Sequence, residues 1–544
     1  MMSAYEDSFA AEQMPRKDAL PDLIHDLPCL NYPDRLNAAV ELLDKNIAAG
    51  RGDKVAILTP TESWTYQEVF EKSNQIAHVL VKDMGLKSGN RVLLRAANNP
   101  MMVACWFAVL KAGGIAVATM PLLRARDLIP VIGKAQVAFA LCDERLVQEL
   151  EGAQKAAPIL SHILCFDELK EWMTNQPKTF TPVDTWSKDI ALIAFTSGTT
   201  GQPKGCLHFH EDIMSMCHLV GDRLLGIGAD DIIIGSPPLA FTFGLGALLA
   251  FPFFAGATTV LLEDGSPEVY LAAIARFRAT WSFTAPTAYR AMLPKVSDHD
   301  LSCLKACVSA GEHLPLPTFQ AWQAATGLKL IDGIGATEMI HIFISATGDD
   351  IRPGATGKVI DGYQACILDE NNNPLADGAV GRLAIKGPTG CKYLGDERQS
   401  VYVRDGWNVT GDAYRRDADG YYWFQARGDD MIVSSGYNIG GPEVEEALLD
   451  HPAVAECAVA ASPDTARGQI VKAFIVLSPD YMAPDYKAHA DLIVELQKFV
   501  KQAIAPYKYP RAIEFVENLP KTETGKIQRF ILRQKEISSP LSSR

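Results

Sequence analysis

Along the first 145 residues, short apolar runs alternate with long helical patterns. "KVAILT" (54–59), "RVLLRA" (91–96) and "IAVATM" (115–120) read as strands. Between them, "TYQEVFEKSNQIAHVLVKDM" (65–84) and "PMMVACWFAVLKAG" (100–113) read as helices, the second closed by its stop glycine. Strands separated by helices pair through crossovers, which gives a parallel sheet covered on both faces. The pattern returns at "TTVLL", "ATWSFTA", "ACVSAGE" and "LKLIDGIGATE". From "IRPGATGKV" to "YYWFQARG" short strands and turns predict a β-rich subdomain. "RGDD", Arg427 to Asp430, is a charged turn that marks a boundary, and about a hundred residues of mixed helix and strand follow. With 544 residues the chain exceeds what one core supports. The expected fold is α/β, with a large N-terminal domain over 1–428 and a small α+β domain over 429–544.

One loop interrupts this pattern with different chemistry. "FTSGTTGQPKGC", Phe195 to Cys206, follows the strand-like "DIALIAF". Gly198 and Gly201 let backbone N–H groups approach an anion. Thr196, Ser197, Thr199 and Thr200 add hydroxyls, and Lys204 adds a charge. The spacing is not that of a P-loop, and a polar surface loop has the same composition. Other residues stand in similar settings. Glu338 ends the glycine turn of "IDGIGATE", either as a Mg2+ ligand or as an acid at a helix start. Asp412 and Arg427 end short strands; Asp412 suits a ribose diol or an ordinary β-turn. Lys526 sits in "LPKTETGKIQR"; from Lys521 to Lys535 there are five basic residues and one acid, the pattern of a solvated charge run as well as of a site.

Composition removes several classes of function. A net charge of -14 argues against nucleic acid. Eleven scattered cysteines with no C-x-x-C pair suit reduced thiols in the cytoplasm. The N-terminus has no leader pattern. Residues 237–262 carry no charge and are long enough to span a bilayer, but Pro252 and three glycines divide them into loop, short helix and strand, so no membrane span is expected.

In this order, "FTSGTTGQPKG", "GIGATE", "TGD", "RGDDMI" and "LPKTETGKIQR" resemble the adenylate-forming superfamily of acyl- and aryl-CoA synthetases, adenylation domains and luciferases. The likeness implies ATP, Mg2+ and CoA as cofactors and co-substrates, and a reaction in two halves. A carboxylate attacks the α-phosphorus of ATP, and a thiol then displaces AMP. It assigns Thr196 to Lys204 to the β- and γ-phosphates, Glu338 to Mg2+, and Lys526 to the α-phosphate and carboxylate oxygens. Asp412 and Arg427 would hold the ribose. Gly311, Glu312, Asp332, Gly333, Ile334, Gly335, Thr337 and Phe424 would surround the nucleotide and the acyl carboxylate. It also implies a mobile C-terminal domain hinged at Asp429, with Lys526 on one face and Ser435, Gly436 and Tyr437 on the CoA side. Ala426 and Gly441 depart from the usual glycine and proline there, which bears on CoA docking rather than on adenylation.

Within the superfamily, "GIGATEMIHIF", "FTFGLGALLAFP", "GPTGCKYL" and "SSGYNIGGPEVE" resemble the benzoate-CoA ligase group, closest to 2-aminobenzoate (anthranilate) ligases. The acyl pocket would then comprise Phe241, Thr242, Phe243, Gly244, Ala310, Gly335 and His341, with the phenylalanines and Thr242 as an aromatic wall bearing one hydroxyl. Benzoate or hydroxybenzoate ligases, a stand-alone domain loading a carrier protein, a luciferase-like oxidase and a catalytically silent nucleotide binder remain as alternatives. A monomer or homodimer is expected.

Overall fold

The computed structural model describes residues 3–196, 203–427, 430–434, 437–464, 467–481, 486–504, 506–521 and 525–538. The helix Pro100–Lys111 organises its N-terminal part. All its residues are buried, as a helix without a polar face requires. It packs on Tyr66–His78, whose start is fixed by a capping box between Thr65 and Glu68. Both helices share one apolar cluster with strands of two large sheets, among them Leu94, Leu192, Ile233 and Phe283.

The first sheet runs in the order His162–Cys165, Phe139–Cys142, Arg91–Arg95, Ile115–Thr119, Ile190–Thr196, Lys204–Phe209. Its pairs are parallel except the last, which is an antiparallel hairpin. The second sheet has a parallel centre of Val55–Leu58, Thr258–Val260, Ile232–Gly235, Trp281–Thr284, Ala306–Ala310 and Leu330–Gly335, with antiparallel edges. The alternation over 51–145 therefore does not build a single sheet. Val55–Leu58 leaves it, because it pairs with Ser63–Thr65 on one side and with Thr258–Val260 on the other.

Strand order places the ligand crevice. In open α/β sheets, ligands settle beyond the carboxyl ends of strands where the order reverses. In the first sheet that point is beside Arg95, whose guanidinium is fully buried and donates to the carbonyls of Met120, Pro121 and Leu123. In the second sheet the reversal lies at Ile232–Gly235. Two and three strands along from it, the carboxyl ends of Ala306–Ala310 and Leu330–Gly335 carry Gly311 and Gly335, two of the expected site residues.

Residues 242–255 form one helical stretch that ends at Gly256 with φ 71°, followed by the strand Thr258–Val260. Pro252 stands inside this stretch, near the start of its last segment Phe251–Ala255, and takes one backbone donor out of the helix. Among the described residues no helix is long and apolar enough to cross a membrane.

The β-rich part is an antiparallel sheet of Gln364–Leu368, Val380–Lys386, Trp407–Arg416, Val403–Arg404 and Tyr422–Arg427. The C-terminal domain is a separate sheet built on the long pair Val454–Asp464 and Gly468–Leu477. Gly441–Leu449 and Tyr486–Ala503 bury their apolar sides on it. Asp429, the expected hinge, lies outside the described residues, as do Ser435 and Gly436.

Candidate active site

The hairpin that closes the first sheet brings the ends of the glycine-rich loop together. Thr196 and Lys204 are direct cross-strand partners. Ser197, Gly198, Thr199, Thr200 and Gly201 lie outside the described residues. Thr196 Oγ1 is buried without a hydrogen-bond partner among the described residues. Lys204 Nζ lies 3.5 Å from Glu338 Oε1 and 2.7 Å from the Tyr393 hydroxyl. The same hydroxyl is 2.5 Å from Glu338 Oε1.

Glu338 is buried on the short helical turn Thr337–Met339 that follows Leu330–Gly335. The next residue, Ile340, has φ 65° and ψ -37°, a rare conformation for a β-branched side chain. Such strain costs about 1–3 kcal/mol and persists where surrounding contacts over-determine it. Here the turn carries Glu338 and His341 on either side of the strained residue. Gly335 is required by a close approach, since a Cβ there would stand 2.7 Å from the His341 carbonyl oxygen.

His341 faces the other expected site. Its ring lies 5.8 Å from that of Phe243 and edge-on to Phe251 at 4.8 Å. Neither ring nitrogen has a hydrogen-bond partner of good geometry among the described residues. Burial pushes its pKa down to about 3, so the imidazole is neutral. Gly246 fits because a Cβ there would lie 2.5 Å from the ring. A Cβ at Gly244 would lie 2.1 Å from the Pro238 carbonyl oxygen. The expected aromatic wall is divided. Phe243 packs with His341 and Phe283, whereas Phe241 and Thr242 line a small cavity with Trp106, Leu192, Ala194 and Leu239. The helix that starts at Thr242 turns successive side chains about its axis, so three neighbours do not share a face.

The C-terminal ends of two adjacent strands supply the rest. Gly311, with φ 90°, follows Ala306–Ala310, and Lys526 Nζ lies 3.7 Å from where its Cβ would project. Burial raises the pKa of Glu312, while Lys526 opposes that rise. In the next strand, Asp332 is half-buried beside Ser309, its cross-strand partner. Burial pushes its carboxyl up to about 7. Gly333 leaves room for the Ile342 side chain, 2.7 Å from where a Cβ would be.

Asp412 and Arg427 are cross-strand partners in the β-rich sheet, although nothing is described of the Arg427 side chain. Phe424, on the same strand as Arg427, stacks on His313 at 5.0 Å and 28°. His313 in turn hydrogen-bonds Glu446 of the C-terminal domain, 2.8 Å away, and Leu316 N donates to the same carboxylate oxygen.

Sequence reasoning missed Tyr393, His313 and Glu446. Tyr393 stands inside the quoted segment "GPTGCKYL", and His313 directly follows "ACVSAGE", which were the available signals. Glu446 had none, because its contact is made only by docking of the C-terminal domain. Ile334, Thr337, Ala310 and Gly335 fall where the strands place the site, whereas Tyr437 is described in its backbone alone.

Among the described residues no three His, Cys, Asp or Glu side chains converge as a metal cage. One carboxylate, Glu338, beside the phosphate-loop hairpin suits Mg2+, which commonly takes one or two carboxylates together with substrate phosphate oxygens and water.

The phosphate-loop hairpin, Glu338, His341, Gly311 and Asp332 lie within residues 44–393, which match the AMP-binding enzyme family. The chain belongs to the AMP-binding enzyme family. The family's C-terminal domain matches residues 443–526. The chain is 34% identical to the benzoate–CoA ligase of Thauera aromatica over 93% of its own length and 97% of that protein's. It superposes on the crystal structure of the anthranilate CoA ligase AuaEII in complex with anthranoyl-AMP with a TM-score of 0.89, at 36% identity, covering 94% and 99% of the two chains. A benzoate CoA ligase from Burkholderia xenovorans LB400 gives 0.83 at 32% identity, over 92% and 100%. This AMP-binding enzyme is therefore an AMP-forming CoA ligase of the benzoate-CoA ligase group, using ATP and CoA.

Proposed function

We propose that the chain joins 2-aminobenzoate (anthranilate) to CoA through an aryl-adenylate, releasing pyrophosphate and then AMP. A free carboxylate is a poor electrophile, and adenylation gives its carbon a good leaving group. In the first half-reaction, negative charge gathers around the α-phosphorus, and fixed donors and cations lower the barrier most where that charge develops. Thr196, the loop that follows and Lys204 take the β- and γ-phosphates. Glu338 holds Mg2+, which offsets phosphate charge. Lys526 reaches the α-phosphate and carboxylate oxygens, a role supported by its position beside Gly311 and Glu312. Asp412 and Arg427 take the ribose diol, and Gly311, Asp332 and Phe424 border the adenine. In the second half-reaction the CoA thiolate attacks the aryl carbonyl carbon and AMP leaves. Asp429 is the hinge in this scheme, and Ser435, Gly436 and Tyr437 form the CoA side.

The observation that carries the reading from aryl to aminoaryl acid is His341. A buried ring nitrogen without a partner costs about 1–3 kcal/mol, and a ring amino N–H supplies the missing donor to a neutral imidazole. The likeness to the anthranilate CoA ligase supports the same reading. Benzoate is the second reading, favoured by the apolar rings of Phe243 and Phe251 around His341 and by the Thauera relative.

The test is CoA- and ATP-dependent AMP formation with anthranilate, benzoate, hydroxybenzoates, a medium-chain fatty acid and acetate. Anthranilate should have the highest kcat/KM, with benzoate behind. Benzoate in first place would overturn the amino-group assignment, and an aliphatic acid in first place would overturn the aromatic pocket.

A further inference from the structure

Tyr393 lies between the two charged groups of the phosphate site, and the backbone around it leaves its ring little freedom. Residues 391–394 run along the outer edge of the strand Lys204–Phe209. Cys206 and Tyr393 form an antiparallel bridge, Leu207 N donates to Lys392 O at 2.8 Å, and Leu394 N donates to Gly205 O at 2.8 Å. In an extended segment, successive side chains point to opposite faces. Lys392 accordingly reaches Asp212 at 2.9 Å, in a fully buried ion pair. Tyr393 turns the other way, toward Lys204 and Glu338. Its own N–H donates to Gln399 Oε1 at 2.9 Å, and Gln399 is held by the carbonyls of Ala19 and Cys391.

The two charges it meets are less constrained. Lys204 carries its ammonium on a four-carbon stem, and Glu338 projects from a single helical turn. Left to themselves, a buried ammonium and carboxylate collapse into a direct pair, which an incoming phosphate must break. Here the direct contact is 3.5 Å long, whereas the phenol oxygen lies 2.7 Å from the ammonium and 2.5 Å from the carboxylate. A phenol keeps its proton at neutral pH, so the hydroxyl donates to Glu338 and accepts from Lys204.

We propose that the Tyr393 hydroxyl is a positioning group that spaces Lys204 and Glu338 for the phosphates of ATP and their metal ion. The proposal rests on the reading of those two residues given above. It assigns Tyr393 no part in the thiol half-reaction.

Tyr393→Phe in the full chain removes the hydroxyl and keeps the ring, which carries the cation–π contact to Lys204 and the edge contact to Tyr402. Calorimetric binding of ATP with MgCl2, in the absence of any acid, should weaken by about tenfold or more, the worth of a hydrogen bond to a charged group. Thioester formation from supplied aryl-AMP and CoA should keep its rate. Combining Tyr393→Phe with Glu338→Gln should weaken binding by clearly less than the product of the single effects, because the two groups act together.

Wild-type ATP affinity in Tyr393→Phe, beside weakened affinity in Lys204→Ala, would overturn the positioning role and leave the nucleotide reading intact. Undiminished affinity in Lys204→Ala would overturn the nucleotide reading itself. Equal loss of both half-reactions in Tyr393→Phe would assign the residue to the fold alone. Should that variant fold poorly, 3-fluorotyrosine at position 393 gives a second readout. Its 19F resonance should move on addition of ATP and MgCl2, and a stationary resonance would contradict the proposal.

Discussion

Lys526 Nζ stands 3.7 Å from the point where a Cβ would project from Gly311, although the two residues belong to different domains. The glycine ends a strand with φ 90°, and the lysine comes from a turn near the end of the chain. The docked C-terminal domain thus delivers a cation to the mouth of the parallel sheet. Lys526→Ala should lower acid-dependent pyrophosphate release by about a hundredfold or more, the usual cost of a charge-stabilising donor. Thioester formation from supplied aryl-AMP should be largely spared. Single-turnover assays of the two halves check both statements.

Thr196 carries a buried hydroxyl without a partner among the described residues. An unmade hydrogen bond of this kind costs about 1–3 kcal/mol. Thr196→Val should therefore leave Tm unchanged or raise it, while KM for ATP rises by about tenfold if the hydroxyl meets a phosphate oxygen. Thermal melting and initial rates together give the answer.

Gly246 lies under the His341 ring, and a Cβ would stand 2.5 Å from it. Gly246→Ala should displace the imidazole and raise KM for the aryl acid by about tenfold, with KM for ATP changed by less than about twofold. Overpacking of this size costs about 1–3 kcal/mol, which a displaced side chain partly relieves. Kinetics with each substrate varied in turn distinguish the two effects.

Asp332 has its pKa pushed up to about 7 by burial, from an ordinary value of 3.8. Between those values the native state holds a proton that the unfolded chain has lost. Stability contributed by this group is therefore greatest at the acid end and falls as pH rises through about 7. Asp332→Asn carries no such titration. Its Tm relative to the wild type should climb as pH rises from about 4 to about 7, and then level off. Parallel melting curves across that range test the sign.

Much of this site was legible because its parts sit on local patterns. The glycine loop follows an apolar strand, Glu338 follows a glycine turn, and Arg427 ends a strand, whereas Asp412 falls inside the strand Trp407–Arg416 and not at its end as expected. These features depend on residues close in the chain, and five of them in fixed order identified the superfamily. What sequence reasoning missed depends on tertiary pairing. Tyr393 meets Lys204 only because residues 391–394 add to a sheet edge, and Glu446 meets His313 only across a domain contact. The division of Phe241, Thr242 and Phe243 between two environments follows from a helix beginning at Thr242, a boundary that an unbroken apolar run conceals. The transfer of Val55–Leu58 to the second sheet followed a partner about two hundred residues away, which no local alternation reveals.

The most direct test of the central claim is exchange of labelled pyrophosphate into ATP, measured without CoA and with one acid at a time. Exchange that requires anthranilate or a close aryl acid, and that disappears in Lys526→Ala, is the predicted result. Exchange supported only by aliphatic acids, or none with any aryl acid, would contradict an aryl-adenylating site.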